Sequence, residues 1–240
     1  MMFFSKKATM RLCVLIVNLG FIQPNFASIV LDSTRVVYQG SKNEVTINLI
    51  NKNEKPVLIQ SWIDTGREDT TPEKISVPFV LTPPVNRVDP NKGQTIRISY
   101  TGVPSLPTDK ESVYWLNVLE VPAKDKNSDS IKQKLNVVFR TRIKLFYRPV
   151  GLKGNSNDAP EELHWQLNGQ TAAVQNDSNY NITIFTIRYQ DKSTISEIDG
   201  KMLAPGESYK FPLKNTGNIT GLSFSTINDY GALMNYQAKK

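Results

Sequence analysis

From Ser28 to Lys240 the chain is divided into short runs that favour extended backbone, with little in it that could form a helix instead. SIVLDSTRVVYQ, EVTINLIN, PVLIQSWID, QTIRISYT and SVYWLNVLEV are rich in Val, Ile, Tyr, Trp and Thr. GSKN, NKNEKP, DPNKG and LPTDKE separate them, and their Gly, Pro, Asn and Asp residues supply the backbone geometry of turns. TPEKI, Thr71 to Ile75, is a weak helix candidate. Side chains on a strand alternate between two faces, so a chain of such strands buries its apolar faces by packing sheet on sheet. From Val150, VGLKGNSNDAPEE reads as a connection, after which HWQLNG, TAAVQND, YNITIFTIRYQ, KMLAP, SYKFPL and GLSFSTIND resume the pattern. The expectation is an all-β chain of two β-sandwiches that divides near residue 150.

Residues 1–27 read differently. Lys6, Lys7 and Arg11 precede an apolar run from Leu12 to Ile22, and Pro24 and the small residues Ala27 and Ser28 close it. That is the layout of a secretory signal peptide, and the run is short of the roughly 20 apolar residues a membrane anchor needs. Cleavage after Ala27 would leave 213 residues with a net charge of +4, since the leader holds three basic residues and no acid. The expected organisation is a signal peptide over 1–27, one sandwich over 28–149 and a second over 150–240. Stable membrane insertion is not expected. Cys13, the one cysteine, would leave with the leader, so the core has to hold without disulfides in an oxidising compartment.

Composition narrows the chemistry. His164 is the one histidine and Cys13 the one cysteine, so a histidine-ligand cluster, a thiolate nucleophile and a cysteine-rich metal site are excluded from the exported chain. There is no glycine-rich phosphate loop of the GxxxxGK[ST] kind. No dense basic run with interleaved aromatics is present, so nucleic acid is not an expected partner. His164 beside Trp165 reads as a strand residue packed at a domain edge, and Trp62, Trp115 and Trp165 sit in strand patterns suited to core. No catalytic residue, metal site or cofactor is expected, and the chain does not read as an enzyme.

One strand is too long. IKQKLNVVFRT, from Ile131, runs without a turn signal into RIKLFYRP, which ends at Pro149, whereas a typical strand has about 5–6 residues. Leu135, Val137 and Phe139, with Ile131 and Ile143 in phase, fall on one face of it. On periodicity alone this row would face the chain's own core.

LPTDKESVYWLNVLEVPA, Leu106 to Ala123, closely resembles the signature of the periplasmic pilus chaperones, the PapD-like family. STRVVYQG, TPPVNRVDPNKGQTIRI, RIKLFYRP, MLAPGES and INDYGA resemble the family as well, so the likeness covers essentially all of 28–240. It implies two immunoglobulin-like β-sandwiches joined as an L with a cleft between them. It also implies a periplasmic chaperone that folds and caps pilin subunits and delivers them to an outer-membrane usher. The overlong strand would then be the donor strand, with Leu135, Val137 and Phe139 filling a pilin's open groove. Donor-strand complementation of this kind is a form of β-strand addition, in which main-chain hydrogen bonds hold the strand and alternate side chains fill pockets. Lys144 and Arg35 match the family's cleft cations, which would hold the pilin's C-terminal carboxylate. Glu111, Arg148 and Asp229 match an interdomain salt bridge. Thr82, Pro83, Pro84 and Val85, with Arg97, match a surface offered to the usher. The absence of a cysteine pair in the second half implies the short-loop branch.

The alternative from another class is a pilin-like or carbohydrate-binding adhesive β-sandwich. A pilin typically has a disulfide and lacks a strand, and a sugar site needs clustered exposed aromatics; neither pattern is present here.

Overall fold

The computed structural model describes residues 29–67, 75–122, 137–191, 194–214 and 219–239. Among them are seventeen strands and no α-helix; Thr71 to Lys74 of the helix candidate, and all of the leader, lie outside the described residues. Two sheets share the first core. One runs β1 (Ile29–Leu31), β3 (Glu44–Asn51), β7 (Gly93–Tyr100), β5 (Phe79–Thr82). The other runs β2 (Arg35–Gln39), β9 (Phe139–Arg148), β8 (Ser112–Pro122), β4 (Val57–Asp64), β6 (Val85–Val88). Every pairing in them is antiparallel except β2 with β9, which is parallel.

The period of two that the sequence shows is what builds this core. Val36 and Tyr38 of β2, Ile59 and Ile63 of β4, Leu116 and Val118 of β8, and Ile143, Leu145 and Tyr147 of β9 point inward from one sheet. Ile47 and Leu49 of β3 and Ile96 and Ile98 of β7 meet them from the other. Each such aliphatic side chain contributes about 1.5–3 kcal/mol by leaving water. Tyr38 is buried with its polar end satisfied: its hydroxyl donates to the Asn43 carbonyl at 2.7 Å and accepts the Tyr100 amide at 3.1 Å.

The second core lies in a separate pair of sheets. β10 (His164–Asn168), β11 (Thr171–Gln175) and β15 (Ser208–Pro212) form one of them. β13 (Thr194–Asp199), β12 (Ile182–Asp191), β16 (Ile219–Ile227) and β17 (Leu233–Gln237) form the other, and β14 (Met202–Leu203) pairs with the start of β12. Trp165, Val174, Ile187, Leu203, Phe211 and Phe224 fill the space between. Asn176, also buried, donates from its amide to the carbonyls of Tyr180, Leu203 and Ala204 and so ties a loop to β14. A 3-10 turn at Ala159–Glu162 leads into this sandwich.

Two expectations need correcting. Of the three tryptophans only Trp165 is core; Trp62 and Trp115 lie on the outward face of β4 and β8, each beneath an arginine of β9. They alternate with Ile63 and Leu116, which take the inward positions, so the strand period itself puts them outside. His164 is not packed either: it is exposed and faces Asp177 at 3.4 Å.

Candidate functional site

Parallel pairing of β2 with β9 sets Arg35 directly opposite Lys144, although 109 positions separate them in the chain. Both side chains reach toward the second sandwich. The Arg35 guanidinium is buried, lies over the Phe146 ring, and donates from Nη1 to the Ile227 carbonyl at 2.8 Å. The Lys144 ammonium donates to Thr183 Oγ1 on β12 at 3.2 Å. Neither is in salt-bridge contact with a carboxylate among the described residues. Burial pulls the Lys144 ammonium down to about 8, and the Arg35 charge beside it adds to the effect. Arg35 is lowered as well, by burial, against the pull of the more distant Asp229 and Glu111. Two partly desolvated cations side by side are unfavourable alone, and an anion placed between them would relieve the strain.

The pairing also ends here. β2 begins at Arg35, opposite Lys144, while β9 continues upstream to Phe139 with β8 on its other side. Among the described residues no strand lies along the β2 edge of β9 before Lys144. The side chains of this stretch divide in the same place. Ile143, Leu145 and Tyr147 are core, whereas Val137 and Phe139, in phase with them, are 50% and 62% exposed. Ile143 therefore belongs to the chain's own core and not to the open row. Leu135 and Ile131 lie outside the described residues. An open strand edge with an exposed apolar row is the form in which a sheet accepts a strand from another chain.

Beyond Lys144, β9 ends in Arg148, which holds three groups at once. Its Nε donates to Glu111 Oε2 at 2.6 Å, and Nη1 and Nη2 donate to Asp229 Oδ2 and Oδ1 at 2.6 and 2.7 Å. Tyr180 lies under the guanidinium. Glu111 also accepts from the backbone and side-chain amides of Asn181, and Asp229 accepts from Ser156. Burial alone would raise the Asp229 carboxyl, but Arg148 and Ser156 hold it below its ordinary range. The turn carrying Asp229 sits close to the first sandwich. Gly231 has φ +81° there, and a Cβ on it would lie 2.4 Å from Thr34 Oγ1, so only glycine fits without a shift.

The proline-bearing surface is split by the fold. Thr82 ends β5 and pairs with Arg97 of β7, whereas Val85 opens β6 in the other sheet and is exposed. Pro83 and Pro84 cross between the sheets, and the Pro84 carbonyl accepts the Ser61 amide at 2.7 Å.

Sequence reasoning did not find Thr183, the Ile227 carbonyl, Asn181 or Ser156. They come from the second sandwich and have no spacing relation to the strands they meet. Among the described residues there is no group of His, Cys, Asp and Glu able to hold a metal ion, and no helix long and apolar enough to cross a membrane.

Comparison with known proteins agrees with this arrangement. The model of the pili and flagellar-assembly chaperone PapD N-terminal domain matches residues 28–153, and that of the pili assembly chaperone PapD C-terminal domain matches 158–238. The chain belongs to the PapD family of pili assembly chaperones. The probable fimbrial chaperone YadV of Escherichia coli K12 is 41% identical over 99% of this chain and 100% of that one. The chaperone protein FimB/FhaD of Bordetella pertussis is 40% identical over 88% of each chain. The solved structure of the CupB2 chaperone of Pseudomonas aeruginosa is 35% identical, with a TM-score of 0.76 over 87% of this chain and 98% of that one. As a PapD-family chaperone the chain has the two-sandwich, all-β fold of that family, and the adhesive alternative is set aside.

Proposed function

We propose that this PapD-family protein is exported to the periplasm, captures pilin subunits along the open edge of β9, and passes them to an outer-membrane usher. The observation that supports this reading best is the coincidence at Lys144. There the β2 pairing stops, the exposed row of Val137 and Phe139 lies just upstream, and two cations stand without a carboxylate among the described residues. A pilin strand laid along that edge would satisfy its unpaired backbone groups, and its apolar side chains would pack with Phe139 and Val137. Its C-terminal carboxylate, seated between Arg35 and Lys144, would fix the register through charge-assisted hydrogen bonds.

The polarity follows from the same geometry. A guest strand that ends at Arg35 occupies the line of β2 upstream of its first residue, so it runs parallel to β9 as β2 does. Arg148, with Glu111 and Asp229, holds the two sandwiches together so that Thr183 and Ile227 stay near the cations. Thr82 to Val85 and Arg97 are the proposed usher-facing residues, Thr82 with Arg97 on one sheet and Val85 on the other. No catalytic step and no cofactor enter this function.

The test is co-expression with a pilin subunit encoded in neighbouring genes. A one-to-one complex recovered from the periplasm supports the reading. A pilin that survives equally well with and without the chaperone overturns it.

A further inference from the structure

The face of β9 opposite the donor row is built with more care than a solvent-exposed face needs. Arg140 and Arg142 alternate with Phe139, Thr141 and Ile143, and both arginines are gathered on one buried carboxylate. Asp64, at the end of β4, is 2% exposed. It accepts from Arg142 Nη2 at 2.8 Å, from Asn117 Nδ2 at 2.8 Å, from the Gly66 amide at 2.7 Å and from Arg140 Nη2 at 3.5 Å. Arg140 Nε donates in turn to Asn117 Oδ1 at 2.8 Å. Each guanidinium covers a tryptophan: Arg140 lies 5.2 Å from the Trp62 ring centre and Arg142 lies 5.1 Å from that of Trp115. Gly66, with φ +103°, lets the chain turn tightly over Trp115, where a Cβ would come within 2.9 Å of the ring. Burial would raise the Asp64 carboxyl, but Arg142, Gly66 and Asn117 keep it below its usual range, so the clamp is charged at neutral pH.

The location of the clamp carries the inference. It grips β9 at Arg140 and Arg142, within the stretch that has β8 on one side and no strand on the other among the described residues. A strand paired along one edge tends to fray, and ordering it at the moment of binding lowers the rate and the affinity of capture.

We propose that Asp64, with Arg140 and Arg142, positions the donor strand. The clamp holds the upstream half of β9 extended in the free chaperone, so that Phe139 and Val137 already stand in register with Lys144 before a pilin arrives. Asp64 and Arg142 are then positioning residues that need not touch the guest strand. This rests on the donor-strand reading above.

The experiment compares the full exported chain with Arg140→Met and Asp64→Asn, and with Arg140→Lys as the conservative control. Hydrogen exchange is followed in the free protein, and capture kinetics with the co-encoded pilin. Arg140 is 31% exposed, so its replacement by Met is expected to fold with a melting temperature close to wild type. Exchange at 139–143 should speed up about tenfold while β4 stays protected, and capture should slow about tenfold, with Arg140→Lys in between. Unchanged exchange in both Arg140→Met and Asp64→Asn overturns the proposal. Faster exchange with unaltered capture overturns it too, as does slower capture without faster exchange, which would place Arg140 in direct contact with the guest. If wild type itself captures no pilin, the donor-strand reading fails, and that result is distinct from a failed clamp.

Discussion

Asp229→Ala removes two of the three hydrogen bonds that Arg148 makes to carboxylates, leaving only the one to Glu111. Both lost bonds are short, 2.6 and 2.7 Å, and both are charge-assisted. Removing one partner of a buried charged network costs about 3–5 kcal/mol, because the remaining charge stays buried. Two features of the site lower that figure. Asp229 is 21% exposed, so water enters the gap, and Glu111 still accepts from Nε. The expected loss is therefore about 2–3 kcal/mol. A chain of this size loses about 2–4 °C of melting temperature per kcal/mol, so the shift should be about 4–12 °C. The pH dependence has a definite sign. Asp229 titrates below its ordinary 3.8 in the folded protein, so its contribution is present above that value and fades as the pH falls through the folded one. The gap between wild type and variant should then close in strong acid. Calorimetry at neutral and acid pH measures the stability, and small-angle scattering reports whether the sandwiches separate. An unchanged melting temperature with an unchanged scattering profile would show that the three residues are solvated charges with no structural role.

Further outcomes follow from the other parts of the site. Val137→Asp places a charge on an exposed position, so the melting temperature should hold while pilin capture is abolished; a badly destabilised variant would instead put Val137 in the core. Lys144, folded near 8 against an ordinary 10.5, makes the unfolded chain the stronger proton binder between those values. Stability of the free protein should rise with pH across that window in wild type but not in Lys144→Ala, whereas a pilin carboxylate anchored on the ammonium should be held more weakly above about 8; thermal melts and complex dissociation followed from pH 7 to 10 check both signs. N-terminal sequencing of the periplasmic protein should begin at Ser28 or within a residue or two, and a full-length membrane-retained product would contradict export with cleavage after Ala27.

Much of this architecture could be read from the sequence because strands have a period of two and turns have a composition. Ile47, Leu49, Ile96 and Ile98 alternate with polar residues in the runs that became β3 and β7, and the turn residues between runs mark where each strand stops. The same period placed Arg35 and Lys144 on strands, but it did not pair them. That required knowing that β2 lies parallel to β9, a long-range choice that no local pattern encodes. Resemblance to the PapD family implied that the two cations share a cleft, and the strand pairing that brings them there is visible only in the fold. Trp62 and Trp115 show how periodicity without an assigned direction misleads. Their strands alternate as a core strand does, and which face is inward depends on the neighbouring sheet. Asp64 could not be recognised as a hub because its partners come from β8, β9 and its own turn, and only the folded sheet brings them within 3.5 Å. Thr183 and Ile227 belong to the second sandwich, and their contact with the cations depends on how the two sandwiches meet.

An anion seat at the end of the β2 pairing would anchor a pilin strand on β9. The most direct measurement is the yield of pilin co-purified from the periplasm with wild type, Lys144→Ala and Arg35→Ala, scored beside the melting temperature of each free chaperone. Both alanine variants should fold, since neither cation pairs with a carboxylate among the described residues, yet pilin should be degraded in their presence. Lys144→Arg should recover only part of the yield, because a planar guanidinium does not reproduce an ammonium's reach. Wild-type yields of a stable pilin complex from either alanine variant would contradict the account.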